Sequence, residues 1–222
     1  SLVRADSAWD VNTTTARGDT NVVIGITDTG VELTHPDLIS NIKFNYDDPL
    51  GGGDDDNDGY IDNYAGWDLG ENDNNPSFNV NAHGVHVSGI AAAKTDNVTG
   101  VAGVGFNCKF LPVKISNASG SLTKAYEGIA YAAEHGCKVI NCSWGGPGAG
   151  QLGQDVINYA TYNFDALVVA AAGNNGAEMD FYPASYQNVI SVANTDFSDI
   201  KALSSNYGYN IDVSAPGESV YA

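Results

Sequence analysis

"VVIGITDTG", residues 22–30, decides the fold. Apolar and small residues run without alternation into Thr27, Asp28 and a glycine turn. A strand with no polar face is covered on both sides, as parallel strands are between two helix layers. The same texture returns in "KFLPVKI" (109–115), "KVINCS" (138–143), "ALVVAAA" (166–172), "NVISVA" (188–193) and "NIDVSA" (210–215). Between these runs lie helical patterns: "HGVHVSGIAAA" (83–93), "SLTKAYEGIAYAAEHG" (121–136) and "QLGQDVINYATYNF" (151–164). In the second, Ala125, Ile129, Ala132 and Ala133 share one stripe, and Gly136 stops the helix. The alternation predicts one α/β domain, doubly wound around a mostly parallel sheet with helices on both faces. Such sheets bind ligands beyond the carboxyl ends of their strands. Asp28, Ser143-Trp144-Gly145 and Gly173-Asn174 stand at those ends.

At 222 residues the chain can bury a substantial single core. Its net charge of −18, from 27 acidic and 9 basic residues, repels phosphate backbones and anionic lipid. Nucleic acid and membrane surfaces are therefore poor partners. No run approaches the roughly 20 apolar residues of a membrane span, and no leader opens the chain, so Ser1 reads as a trimmed boundary. Three cysteines are too few for a disulfide scaffold. One bridge is compatible with them, and Cys108 with Cys137, both at strand starts, is its best pairing. Asn-x-Ser/Thr occurs at Asn12, Asn97, Asn117 and Asn141, which counts only in a host that glycosylates. "GVAGVGF" (100–106) precedes a strand and lacks the GxGxxG order of a dinucleotide loop.

"NAHGVHVSGI" (81–90) sets two histidines three residues apart. A helical zinc pair needs a spacing of four with an intervening glutamate, which these residues lack. The alternatives are two packed histidines or one proton acceptor held by a carboxylate. Asp28, closing an apolar strand, is suited to fix an imidazole's tautomer, although a turn aspartate that merely accepts backbone N–H bonds fits the same position. "VVAAAGNNG" (168–176) places Asn174 where its amide could meet a developing oxyanion. "VINCSWGG" (139–146) offers a strand edge and a glycine-lined cleft after Ser143, where an extended peptide could pair.

Together these segments resemble the subtilisin-like serine proteases, or subtilases. "DTG" (28–30) is similar to the family's aspartate motif. "HGVHVSG" (83–89) resembles its histidine motif, with Val85 where threonine is common and Ser88 where alanine is common. "AAAGNNG" (170–176) resembles the oxyanion motif and "INCSWGG" (140–146) the substrate strand. The likeness runs from "AW" (8–9) to "VSAPG" (213–217) and implies one subtilisin-like peptidase domain over 1–222, with an acidic insertion at about 45–82. It implies that Asp28 orients His83, that His83 is the general base, and that His86 is a packed neighbour. Asn174 would bind the oxyanion, worth about 3–4 kcal/mol on a scale known from this family rather than from this chain. Gly120, Ser121, Ser143, Trp144 and Gly145 would line the substrate cleft.

The family's nucleophile is a serine in a Gly-Thr-Ser-type segment beyond the APG motif, and no such segment occurs in these residues. The resemblance thus implies a domain incomplete at its C-terminus, which carries the Asp and His of a triad without the Ser and is inactive by itself. The expected partners are polypeptide substrates, together with the missing C-terminal segment or a propeptide, and the expected location is outside the cell. A non-catalytic relative that binds peptides or proteins in the cleft is the runner-up. A calcium-dependent structural domain would explain the acidic loop but not the motifs.

"GGGDDDNDGYIDN" (51–63) alternates Asp54, Asp56 and Asp58 before Gly59, then reaches Tyr60 and Asp62. This is the first half of an EF-hand-like calcium loop, with Tyr60 offering a carbonyl and Asp62 at position nine, although Ala65 stands where the closing glutamate belongs. A solvated acidic turn is the plainer alternative. The resemblance implies a second calcium site between Asp37 of "HPDL" and "TDNVTGV" (95–101), with Thr95, Asn97, Thr99 and Val101 as ligands.

Overall fold

A computed structural model describes residues 3–11 and 17–222; the acceptor at Asn12 lies outside them. Seven strands form one sheet: β1 (Val23–Asp28), β2 (Trp67–Asp68), β3 (Lys109–Lys114), β4 (Val139–Cys142), β5 (Leu167–Ala171), β6 (Val189–Thr195) and β7 (Val213–Pro216). Their order is β2-β3-β1-β4-β5-β6-β7, and every pairing is parallel. The helices are α1 (Ala5–Val11), α2 (His83–Ala92), α3 (Ala125–Glu134) and α4 (Gln151–Phe164). The chain leaves β1 toward β3 on one side and later fills β4 on the other. That reversal opens a crevice at the carboxyl end of β1, where Asp28 stands.

The two faces of β1 bury different cores. Gly25 faces α3, where even a Cβ would lie 2.8 Å from that of Ala132. On that side Ile129, Ala132 and Ala133 of α3 and Ile157 and Ala160 of α4 pack against Leu111, Val113, Ile140 and Val168. Ile26 faces the other way, into a core with Phe110, Leu38, Ile42 and Ala92 of α2. Helix α2 buries only small residues, Gly84, Ser88, Gly89 and Ala92, so no bulky side chain holds it off the sheet. Beyond it this face is open: a groove of about 340 Å³ over β4–β7 is lined by Ile90, Val169, Ala171, Val192 and Pro216 among others.

The strands predicted from the sequence appear within three residues at each end. Helix α3 begins at Ala125 rather than at residue 121. Leu122 bridges Ser116, and the N–H groups of Thr123 and Lys124 both reach the Ile115 carbonyl, so this stretch is spent on a turn. The acidic insertion is tied into the sheet by β2, which no periodicity announced. There Asp68 Oδ2 meets Lys114 Nζ at 2.5 Å, with both side chains 2% exposed. The expected Cys108–Cys137 bridge is absent; all three cysteines are free and buried. Cys137 packs below α3 beside Gly25, whereas Cys108 lies beside Gly105 and Ile24 on the α2 side, so the sheet separates them.

Candidate active site

Asp28 and His83 meet at the switch point. His83 Nδ1 lies 2.8 Å from Asp28 Oδ1 and 3.0 Å from Oδ2. The carboxylate is 3% exposed and the imidazole 47%. This contact depends on Gly84, where a Cβ would fall 2.3 Å from the Gly30 carbonyl and 3.1 Å from the Asp28 Cβ. Thr29 holds the same corner. Its N–H (2.7 Å) and hydroxyl (3.2 Å) donate to Asp28 Oδ1, and the Gly84 N–H donates back to Thr29 Oγ1. Asn81 Oδ1 accepts the His83 N–H at 3.0 Å, which fixes the backbone where α2 begins. Thr29 and Asn81 were not singled out in the sequence; the signal was their place beside the two motif residues.

With Nδ1–H donated to a carboxylate, Nε2 is the ring's acceptor. It has no partner among the described residues and borders a cleft of about 160 Å³ shared by Asn81, Gly120, Leu122, Ser143 and Trp144. The hydrogen bond that His83 donates to Asp28 raises the His83 pKa above histidine's ordinary 6.5, burial opposes it, and the carboxylate's charge adds to the rise. This arrangement can accept a proton from a hydroxyl at Nε2 and hold the resulting cation.

His86 is not packed. It is exposed, and its Nε2 meets the Val220 carbonyl at 3.0 Å. The three-residue spacing turns it off the sheet face that Gly84 and Ser88 occupy. Trp144 is fixed as a wall of the cleft: its indole N–H donates to Thr27 O and Oγ1, both at 3.0 Å, and its ring lies edge-on to Tyr126. Gly120 lines the cleft at φ +83, a conformation that glycine tolerates. Ser121 instead donates its N–H to Asn117 Oδ1, and the cleft-lining side chain nearby is Leu122. Strand β4 is no edge, since β1 and β5 flank it; free backbone begins only after Cys142.

Asn174 is exposed at the end of the turn after β5. Buried Asn206 shapes that turn: its N–H reaches Gly173 O, its Nδ2 reaches Ala172 O, and its Oδ1 accepts the Asn175 N–H. Gly173 takes φ +99, and a Cβ there would strike Asn206 Nδ2 at 2.4 Å. Nothing in the sequence pattern marked Asn206, which sits 32 residues downstream of Asn174.

In the acidic loop, carboxylate oxygens of Asp54, Asp56 and Asp58 lie within 4.8 Å of one another. An all-oxygen set of this kind suits a hard divalent cation. Asp62 departs from the expected position nine: its carboxylate accepts the N–H groups of Gly51 and Gly52. Tyr60 turns its ring inward onto Trp67, Tyr131 and His135. Asp48, unnoticed in the sequence, is fully buried and ties Asp55 N to Asn63 N. In the second region Asp37, 2% exposed, accepts from Asn97 Nδ2 at 2.6 Å and Val101 N at 2.8 Å. Thr99 donates to Asn97 Oδ1, and Thr95 is buried beside Gly103.

Residues 19–222 match the family model described as "Subtilase family". The chain is 40% identical over 222 residues to thermitase of Thermoactinomyces vulgaris, covering 99% of this chain and 70% of that protein. It is 42% identical over 217 residues to a thermophilic serine proteinase of Bacillus sp. (strain AK1), covering 97% of this chain and 47% of that one. A solved protease structure from Pseudoalteromonas arctica superposes with a TM-score of 0.71 at 34% identity, covering 95% of this chain and 66% of that one.

Proposed function

Because the chain belongs to the subtilase family, we propose that it is the greater part of the catalytic domain of a secreted serine endopeptidase. The observation that carries this is the Asp28–His83 pair, buried on the carboxylate side and open at Nε2. A serine outside these 222 residues gives its proton to His83 Nε2 as its oxygen attacks the peptide carbonyl carbon. The carbonyl π electrons move onto oxygen, where the Asn174 amide stabilises them. His83 then returns the proton to the leaving amine, and a water repeats the cycle on the acyl-enzyme. The extended peptide pairs along Ser143–Gly145 on one side and Gly120–Ser121 on the other.

Residues 1–222 form a single peptidase domain in this reading, and the insertion at about 45–82 binds calcium through Asp54, Asp56 and Asp58. Asp37, with Asn97 and the carbonyls of Thr95, Thr99 and Val101, is a second calcium site once the Asn97 amide turns its oxygen inward. Calcium supplies charge neutralisation to both loops, and no chemical step passes through it.

The test is cleavage of an unfolded protein by the complete protein, with and without a fluorophosphonate. Cleavage that the probe abolishes is expected, with the label on a serine beyond Ala222. A complete protein that binds peptides but neither cleaves nor labels would overturn the protease in favour of a binding domain.

A further inference from the structure

Three charged side chains stand in one row at the carboxyl end of the sheet, and the proposed mechanism uses only Asp28. Asp28 of β1 is the register partner of Lys114 in β3, and Lys114 is that of Asp68 in β2. Neighbouring strands lie about 4.8 Å apart, and residues in register point to the same face. Ile26 and Phe110, on the same faces of β1 and β3, share a core with Ala92 of α2, so the row faces α2. All three side chains are 3% exposed or less. Asp68 is fully engaged: Oδ1 accepts the N–H groups of Gly70 and Glu71, and Oδ2 takes Lys114 Nζ. Lys114 Nζ has three N–H bonds to give, and Asp68 is its one partner among the described residues. Asp28 Oδ1 accepts from Thr29 and His83, whereas Oδ2 receives only the longer contact from His83. The positive member of the ion pair is thus one strand from Asp28 and the negative member two. Asp28 therefore feels a net positive field at a depth where solvent screens little.

We propose that Lys114 is a positioning residue that acts on His83 through Asp28: its ammonium stabilises the carboxylate and opposes a second positive charge on the imidazole. His83 then becomes a neutral base at a lower pH than Asp28 alone would allow. The inference rests on the endopeptidase reading. Two other buried titratable groups adjoin the dyad's elements: Cys142 lies on the opposite face of the sheet beside Thr27, and Asp37 lies beyond the C-terminal end of α2. His86 on α2, Glu32, Glu71 and Asp73 in the neighbouring loops, and Glu218 and Tyr221 in the tail along α2 are exposed, so solvent screens them.

The experiment reads kcat/KM against pH, on one peptide substrate, for the complete protein and its Lys114→Met and Asp68→Asn variants. The midpoint of the acid limb comes from the shape of the curve, so the active fraction of each preparation cancels. Lys114→Met should move that midpoint up, and Asp68→Asn, which leaves the ammonium unopposed, should move it down. Each shift should reach about half a pH unit or more, which is about threefold in kcat/KM on the limb. Lys114→Arg keeps the charge and should hold the parent's midpoint. If Lys114→Met does not fold, the double variant Lys114→Met/Asp68→Asn takes its place, and its midpoint should rise. Midpoints that stay put in an active parent and its variants, or that move the same way in both single variants, make the pair a structural tie and overturn its action on the dyad. A parent that neither cleaves nor reacts with a fluorophosphonate overturns the endopeptidase reading and this inference with it.

Discussion

Among the described residues, two histidine–aspartate pairs have the same length. His83 meets Asp28 at 2.8 Å, and His135 meets Asp58 at 2.8 Å. Their surroundings separate them. His83 spends Nδ1 on Asp28 and leaves Nε2 at a cleft. His135 spends both nitrogens, Nδ1 on the Tyr131 carbonyl at 2.7 Å and Nε2 on Asp58, and its ring stacks on Tyr131 at 3.8 Å. The first imidazole can take a proton from an incoming group; the second is a strut between the acidic loop and the end of α3. A His–Asp distance is therefore no evidence of catalysis. The unspent nitrogen and the space in front of it are.

Neutralising each aspartate tests that contrast most severely. Asp28→Asn in the complete protein should reduce kcat by about four orders of magnitude, because an amide no longer holds the Nδ1–H tautomer or supports the imidazolium. Asp58→Asn should leave kcat, measured in saturating calcium, within about threefold of the parent, as expected for a group outside the reacting atoms. Comparable losses in kcat from both changes would erase the distinction.

Removing calcium should do the reverse, acting on the strut and sparing the dyad chemistry. At a free concentration near 100 times Kd, a bound ion stabilises the native state by about 2.7 kcal/mol. Excess chelator should lower the melting temperature by several degrees, and Asp56→Asn should remove much of that drop. A melting curve that chelator leaves unmoved would remove the cation reading from both acidic regions.

The dyad's own signature is its pH dependence, and activity and stability move in opposite directions. Asp28 raises the His83 pKa above 6.5 in the folded protein. A base must be neutral, so kcat/KM should fall about tenfold per pH unit below that raised pKa and level off above it. The stabilisation behaves oppositely: it is complete below the unfolded value of 6.5 and is lost as pH rises through the raised folded value. Asp28→Asn should therefore cost most stability in acid and progressively less toward alkaline pH. Denaturant titrations showing a constant cost across that range would contradict the coupling.

The dyad was legible in the sequence and the strut was not, for a physical reason. Asp28 and His83 each stand at the end of a regular element, in stretches that turn and strand signals read directly. The parallel strands were legible because they lack a polar face. His135 pairs across 77 residues with a loop whose path depends on buried Asp48 and on the inward ring of Tyr60. Alternating aspartates located that loop but sent Asp62 to the wrong partner. Sequence also cannot tell which side of a sheet a strand-start cysteine faces, so the expected bridge failed. Asn206 escaped because it acts on Gly173, a glycine remote in sequence.

Those free cysteines give the smallest and finest test, since one lies under each pair. Cys142 Sγ is 3.6 Å from Thr27 Oγ1, directly before Asp28, and Cys137 follows His135 and Gly136. Burial pushes both thiols up to about 12, so neither reacts from the closed state at neutral pH. Labelling must then wait for local opening, and its rate reports the free energy of that opening. On the proposed calcium reading, chelation should loosen the loop that Tyr60 and His135 fasten to α3 and accelerate labelling of Cys137 a few-fold while Cys142 keeps its rate. Peptide-resolved mass spectrometry of a thiol-labelling time course reads both sites in one sample. If both thiols quicken together, the strut and the dyad open as one unit and the regional contrast fails; if Cys137 alone quickens, the two pairs differ in energy as well as in the nitrogen they leave free.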